Sequence, residues 1–488
     1  MKLFDNFKEQ RERHGDEPAF LIGSGDRSIP ISWRQFTDDI AAVAWIIRQG
    51  CPGGKVGILG ENSYEWFVCH AACVLSGAVA VPVDYNLRAE QMAERLRFVG
   101  ASAFVNSSLY ADKAREVRKL CPGILGGGFG SLKTDFYLMK ARLALKSEKS
   151  IWDEPPRDSE EIATIVFTSG TTSEPRGAEL ALSAIEQTCE SWGSALEMQR
   201  GNRTLMMLPL HHIFGVCASY VALCRGVALG VCPDFRRLYD TVERFHANFL
   251  FLVPALAELL AKKIEKQAGS AEEAFGQPLD WILTGGAPLP RRTYEHLTAL
   301  GVKVIFAYGC TETAAMYSVG PSVGDPHVGS AGRIDPSGAI EYKTSETGEL
   351  LLRGKCVMRD YFKRPEHTAK VLTDGWYHTG DLGHIDEDGF VWITGRASRT
   401  IILTSGKKIA PEELEDQLLS LPGILETRVS GDPETREIRA EIYGSISEDR
   451  IRRTVAEYNL LQPLYKRISK VIIRSEPFPR TSSGKIKV

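Results

Sequence analysis

Thr168-Ser169-Gly170-Thr171-Thr172-Ser173-Glu174-Pro175-Arg176-Gly177 is the stretch on which the reading of this chain turns. Ahead of it stands Thr164-Ile165-Val166-Phe167, a short apolar, β-branched run that predicts a buried strand. The ten residues bring five hydroxyls, two glycines and one guanidinium to the end of that strand. Hydroxyls and backbone N–H groups donate to phosphate oxygens and a cation balances their charge, so such a loop can wrap a polyphosphate. A polar surface turn has a similar composition. The stretch is not a P-loop, because no Gly-Lys-Ser/Thr closes it.

Composition limits the classes open to the chain. Its 488 residues exceed what one hydrophobic core sustains, so two or more cores are expected. A formal charge of −3 argues against a general polyanion binder, and no nucleic-acid partner is expected. The ten cysteines are scattered without a Cys-x-x-Cys, which fits a reducing compartment. Cys69 and Cys73 read as core thiols on an apolar helix rather than zinc ligands. The segment Met1–Pro18 is charged and lacks an apolar signal core. The most apolar runs, Val68–Val83 and Ile213–Cys232, are interrupted by His70, Ser76, Gly77, Pro82 and Arg225. Neither reads as a membrane span, and a cytoplasmic protein is expected.

Helix and strand signals alternate along the chain. Ser32 is placed to cap a helix through Phe36, Ile40, Val43 and Ile47. Lys55–Gly60 and Gly77–Val83 read as strands. A charged segment with Pro155 and Pro156, Leu145–Glu161, reads as a linker into a second unit. That unit has strand signals at Thr204–Leu208, Val227–Val231, Phe249–Val253, Trp281–Thr284 and Val302–Ala307, with helices at Ala255–Lys266 and Arg291–Ala299. The pattern predicts an α/β fold of doubly wound, mainly parallel sheets. Ligands of such sheets bind beyond the strands' carboxyl ends, where the unusual polar clusters are expected. From Arg399 onward the signals describe a small α+β domain.

Four clusters carry the chemistry. In Leu208-Pro209-Leu210-His211-His212-Ile213-Phe214-Gly215 the two histidines are expected to point to different sides. No carboxylate lies between His211 and Ser219, which weakens a buried-ammonium substrate. In Thr284-Gly285-Gly286-Ala287-Pro288-Leu289 the glycines permit close backbone approach to a planar ligand. In Tyr308-Gly309-Cys310-Thr311-Glu312-Thr313, Tyr308 offers a ring face and Thr311 a hydroxyl. Glu312 offers a hard oxygen for Mg²⁺. In Thr379-Gly380-Asp381 an aspartate after a tight turn can accept two ribose hydroxyls. Each cluster has a plain structural alternative, from a capped turn to a solvated loop.

Taken in order, these stretches resemble the signatures of the adenylate-forming superfamily of acyl-CoA synthetases, luciferases and peptide-synthetase adenylation domains. The opening loop is similar to TSGTTG-x-P-K-G, with Ser173 in place of a glycine and Arg176 in place of a lysine. Serine costs about 1–2 kcal/mol there if the glycine backbone is left-handed. Arg176 keeps the charge and changes the donor geometry. Gly395-Arg396-Ala397-Ser398-Arg399 resembles the family's domain boundary, with serine at the hinge position. The closing Pro479-Arg480-Thr481-Ser482-Ser483-Gly484-Lys485 resembles its P-K/R-T-x-x-G-K motif. The resemblance spans about Ser32 to Lys487 and leans toward the fatty-acyl branch.

It implies a large N-terminal adenylation domain, 1–395, with subdomains of about 1–150 and 160–395, and a small mobile C-terminal domain, 396–488. It implies an AMP-forming, ATP-dependent carboxylic acid:thiol ligase using Mg²⁺ and coenzyme A. Thr168, Ser169, Gly170, Thr171, Thr172 and Arg176 would hold phosphates. Gly286, Ala287, Pro288, Tyr308, Gly309, Thr311, Asp381 and Arg396 would hold the nucleotide. Catalysis would fall to Lys485, Glu312 and Thr168, with the metal on Glu312. His212, Gly285 and Cys310 would line the acyl pocket, Ser398 would be the hinge, and Gly406 would border the thiol tunnel. A carrier-protein phosphopantetheine arm as acceptor and an aryl acid as substrate stay open. So do a catalytically impaired nucleotide-binding relative and a phosphotransferase.

Overall fold

The computed structural model describes residues 2–24, 27–129, 151–154, 157–168, 175–232, 234–320, 327, 329–335, 337–403, 407–432, 435 and 437–479. Its first large sheet runs in the order Leu125–Gly128, Ala103–Asn106, Lys55–Leu59, Val79–Val83, Ile162–Phe167, Gly177–Ala181. The first five strands are parallel and the last is antiparallel. Crossover helices include Tyr64–Ser76, capped by the Ser63 hydroxyl at Trp66 N–H and ended by left-handed Gly77. Ser32 caps Trp33–Gly50 through Gln35 N–H, as its sequence predicts.

A second sheet sets Phe249–Leu252, Trp281–Gly285 and Lys303–Tyr308 in parallel, then adds Ser318–Gly320 and Arg333–Ile334 in antiparallel. The strands Arg203–Met206 and Ala228–Val231 depart from expectation. They join the N-terminal hairpin Pro18–Ser24/Arg27–Ser32 in a sheet of their own. The reason is local: the Thr204 hydroxyl donates to the Phe249 carbonyl and the Asn248 side chain accepts from Arg203 N–H. With the backbone bond from Asn248 N–H to Arg203 O (2.8 Å), these contacts join the strands Arg203–Met206 and Phe249–Leu252 at their starts without a continuous ladder.

A third, antiparallel arrangement holds Ile340–Thr344, Glu349–Gly354, Trp376–Ile385, Leu372–Thr373 and Val391–Arg396. Asp381 lies inside the strand Trp376–Ile385. The expectation that every polar cluster sits beyond a parallel strand therefore fails for Asp381. Between the sheets runs the helix Ile213–Cys224, in which every residue but Phe214 is buried. Its all-round apolar surface is that of a core helix. Among the described residues no helix is long and apolar enough to cross a membrane.

Past Arg396 comes a three-stranded sheet, Ile424–Gly431, Ile438–Gly444 and Lys470–Ile473, with helices Pro411–Leu419 and Glu448–Leu461. Leu414, Leu418, Val429, Ile442, Ile451 and Val455 form a core separate from the others. The architecture is α/β: large doubly wound, mainly parallel sheets followed by a smaller α+β portion.

Candidate active site

The loop of interest is the tip of an antiparallel hairpin. Phe167 pairs with Gly177 across the strands, and Thr168 N–H donates to the Arg176 carbonyl at 2.9 Å. Thr168 and Arg176 thus clamp the loop base. A Cβ on Gly177 would come within 2.7 Å of Ile165 Cγ2, so the pairing needs glycine. Ser169, Gly170, Thr171, Thr172 and Ser173 lie outside the described residues, as do Gly406 and Lys485.

The segment Met358–Phe362 ties this hairpin to Glu312. Phe362 N–H donates to Gly177 O at 2.8 Å, and Glu179 N–H to Asp360 O at 2.9 Å. From the same segment the Tyr361 hydroxyl donates to Glu312 Oε1 at 2.6 Å, while Met358 N–H donates to the Glu312 carbonyl at 2.7 Å. Burial, then the Glu312 charge, pushes the Tyr361 phenol upward, and the Arg176 cation acts in the opposite sense. The hydroxyl therefore stays protonated and holds Glu312 by one carboxylate oxygen. No sequence signal marks Tyr361, because 49 residues separate it from its partner.

Glu312 sits in the single turn Thr311–Thr313, entered from Tyr308-Gly309-Cys310 and left through Ala314 and Ala315. Both alanines are left-handed, with φ of 48° and 63°. Such conformations cost on the order of 1–2 kcal/mol each for a non-glycine residue. The buried Thr188 hydroxyl (2.9 Å) and the Cys217 thiol (3.4 Å) hold the Ala314 carbonyl. Gly309 packs its backbone onto the Ala315 carbonyl so tightly that any Cβ would overlap it. Cys217 belongs to the buried helix that His212 opens, so this helix backs the turn.

Tyr308 ends its strand beside Gly285, whose neighbour across the ladder is Ala307. A Cβ on Gly285 would lie 2.8 Å from Ala307 O, and Gly286 has φ 81°, so both glycines are required by the backbone. Thr284 Oγ1 is buried there without a partner. The Tyr308 ring rests against Tyr317 at 4.8 Å, and its hydroxyl donates to Asp381 Oδ2 at 2.5 Å. Burial and then Asp381 push its phenol well up. Asp381 Oδ1 takes Arg396 Nε at 2.7 Å, across the hairpin on which the two residues pair. Gly380, with φ 71°, makes the bend, and its N–H is held by Glu349 Oε1 at 2.9 Å. Ala287 and Pro288 follow Gly286 in the same loop.

Cys310, placed by sequence in an acyl pocket, has its thiol 3.5 Å from the Tyr377 hydroxyl. Burial, then Glu312, pushes that thiol up to about 12, so it stays neutral and apolar. Ser398 lies in the turn Ala397–Arg399 between two anchored arginines. Arg396 is paired with Asp381, and Arg399 with Glu412 (2.9 Å) and Glu415 (2.6 Å).

Two readings of the histidine cluster are corrected. The rings of His211 and His212 do not diverge but approach to 4.4 Å, because both precede the helix in a turn. The region also has a carboxylate: Asp84, from the end of another strand, lies 3.4 Å from His211 Nε2. Burial, then His212, lowers the His211 pKa to about 3 against the pull of Asp84. The imidazole is neutral at ordinary pH.

Comparison with known proteins fits this geometry. The model of the AMP-binding enzyme family matches residues 7–362, and the chain belongs to that family. It is similar to the long-chain-fatty-acid–CoA ligase FadD13 of Mycobacterium tuberculosis, 25% identical over 89% of this chain and 86% of that protein. It is 28% identical to the indoleacetate–CoA ligase of Aromatoleum aromaticum, over 88% of this chain and 86% of the other. Among solved structures it resembles the O-succinylbenzoate coenzyme A synthetase of Bacillus subtilis in complex with ATP and magnesium ion. That likeness has a TM-score of 0.81 at 23% identity, covering 99% and 98% of the two chains.

Proposed function

We propose that the chain is an AMP-forming carboxylic acid:CoA ligase. It joins a carboxylate to AMP with release of pyrophosphate, then passes the acyl group to the CoA thiol. The observation that supports this most is the convergence of the clamped loop base, Tyr361-held Glu312 and the Tyr308–Asp381–Arg396 cluster. In this reading the Asp381 carboxylate, oriented by Tyr308 and Arg396, accepts the ribose hydroxyls. Gly286, Ala287 and Pro288 would face adenine, Thr311 the α-phosphate, and Thr168–Gly177 the outer phosphates.

Glu312, a half-buried carboxylate tied by the Tyr361–Phe362 segment to the base of the phosphate loop, suits Mg²⁺. Among the described residues no three His, Cys, Asp or Glu converge, so the rest of its shell would come from phosphates and water. When bound, the ion would neutralise phosphate charge. The protein's own part is positioning and charge: Arg176 at the loop, Arg396 at the ribose, and Lys485 at the reacting carboxylate. We place residues 396–488 as a unit turning about Ser398, with Gly406 near the thiol's path.

The acid is apolar in this reading, a fatty acid first. His212, Gly285 and the neutral Cys310 would border it. An aryl acid is the second reading, in keeping with the indoleacetate–CoA ligase among the relatives. CoA rather than a carrier protein is the acceptor, in keeping with the relatives' names. Acid-dependent exchange of labelled pyrophosphate into ATP, over fatty and aryl acids, tests the reading. ADP formation instead would mean a phosphotransferase, and no exchange with any acid would mean a nucleotide-binding relative without the activity.

A further inference from the structure

The surface feature left unexplained lies at the C-terminal end of the helix Glu448–Leu461. This helix buries Ile451, Val455 and Tyr458 against the small core. It then ends in two leucines that miss the apolar stripe. Leu460 and Leu461 are 75% and 85% exposed, and Leu464, in the following turn Leu464–Lys466, is 80% exposed. A single exposed leucine calls for no explanation, but three within five residues form a patch. Tyr465 extends it, with Lys407 Nζ 3.8 Å above its ring. The hairpin of Lys407 also carries Ile402, itself exposed and paired with Lys408.

Cations frame the patch. Between Arg450 and Arg474 the sequence has seven Lys and Arg and one acidic residue, Glu457, and three of the seven, Lys466, Lys470 and Arg474, pair with Glu413, Asp432 and Glu441. Arg467 Nε donates to the Gln462 carbonyl at 3.1 Å, which holds the guanidinium stem beside the leucines' turn. Lys466 is paired with Glu413 at 2.6 Å, and that carboxylate is thereby spent.

We propose that Leu460, Leu461, Leu464 and Tyr465, framed by Lys407 and Arg467, dock the chain onto an anionic lipid surface. Three features favour lipid over protein. The leucines crown a helix end rather than line a groove. Three leucines and part of a tyrosine make a small convex cap that suits shallow insertion at the headgroup boundary. Long cationic side chains can reach phosphates while the leucines dip below them, and a tyrosine suits the interface. The helix itself does not lie in the membrane, because its apolar face is used by the core. Binding is therefore reversible and salt-sensitive. This proposal is independent of the acid:CoA ligase reading.

The test is co-sedimentation of the whole chain with vesicles of phosphatidylcholine alone or mixed equally with phosphatidylglycerol, at low and high salt. The parent should bind the mixed vesicles and be released by salt. The triple variant Leu460→Ser, Leu461→Ser, Leu464→Ser should bind at least about tenfold more weakly. Its melting temperature should match the parent's, since the replaced side chains stand in solvent. Lys407→Gln with Arg467→Gln should lower binding to the mixed vesicles by about fivefold per charge. Equal binding to both vesicle types, or parent-like binding by the triple serine variant, overturns the proposal. So does self-association of the parent that the triple variant abolishes while neither binds vesicles, which would make the patch a contact between copies.

Discussion

Tyr361→Phe isolates the role of one hydroxyl in the proposed reaction. The ring is buried and its backbone bridges to Ala178, so phenylalanine keeps the packing and removes only the donor to Glu312. That bond is 2.6 Å long and ends on a carboxylate. A hydrogen bond to a charged group is worth about 1.5–3 kcal/mol net, a factor of roughly 12–150. Water can reach the half-buried Glu312 and replace part of the loss, so the lower end applies, about tenfold. The expected outcome is a slower acid-dependent pyrophosphate exchange and a higher Mg²⁺ concentration at half-maximal rate. Supplied acyl-adenylate should still react with CoA at near the parent rate. Parent-like exchange across the Mg²⁺ titration would refute the positioning role. A lowered Mg²⁺ requirement would also refute it, because the hydroxyl would then compete with the cation.

Gly309→Ala should abolish exchange and lower the melting temperature, because its Cβ overlaps the Ala315 carbonyl and backbone must move; overpacking of this kind costs about 1–3 kcal/mol. A variant that melts and turns over like the parent would show that the Ala314–Ala315 turn is not held in place. Asp381→Asn should weaken ATP binding by calorimetry and also destabilise the fold, since Tyr308 and Arg396 lose a charged partner; unchanged ATP affinity would leave Asp381 a structural residue only. His70 is fully buried, stacked on Trp66, and lowered by burial to about 3. The unfolded chain takes up its proton near 6.5 and the folded chain does not, so stability should fall between pH 6.5 and 3, by about 1.4 kcal/mol per pH unit. His211, lowered to about 3 as well, contributes a like share, so His70→Gln should remove about half of their joint slope in denaturation at pH 7.5 and 5.5, and an unchanged slope would assign it elsewhere. Lys485→Ala should collapse thioester synthesis from ATP by about 10²–10³ yet spare the reaction of supplied acyl-adenylate with CoA, as single-turnover kinetics of each half would show.

Much of the fold was legible because its signals are local. The run Thr164–Phe167 is a buried strand, Ser32 caps its helix, and the apolar stretch Val68–Val83 is a core helix turning into a strand. Glycines with local constraints were legible in the same way: Gly286 is left-handed and Gly309 packs against Ala315, six residues on. Pairing between distant strands was not. Nothing in Arg203–Met206 says that its neighbours are Ala228–Val231 rather than Phe249–Leu252, because all three are short buried runs. Arg203–Met206 touches both, through a backbone ladder with Ala228–Val231 and through the Thr204 hydroxyl, the Asn248 side chain and one backbone bond at the start of Phe249–Leu252.

The site shows the same limit more sharply. Motifs name the groups that face a ligand, and they leave out the groups that hold those groups still. Glu312 is positioned by Tyr361, the strained Ala314 carbonyl by Thr188 and Cys217, and the bend before Asp381 by Glu349. Each supporting residue lies on a different element from the residue it holds and is ordinary in its own neighbourhood. Asp84 makes the point in reverse: local sequence left His211 without a carboxylate, and the fold supplied one from the end of the strand Val79–Val83. A backbone turn that costs energy in two alanines persists only where such partners over-determine it. Thr188 and Cys217 act there as constraints on shape, and their contribution to the proposed chemistry runs wholly through the position of Glu312.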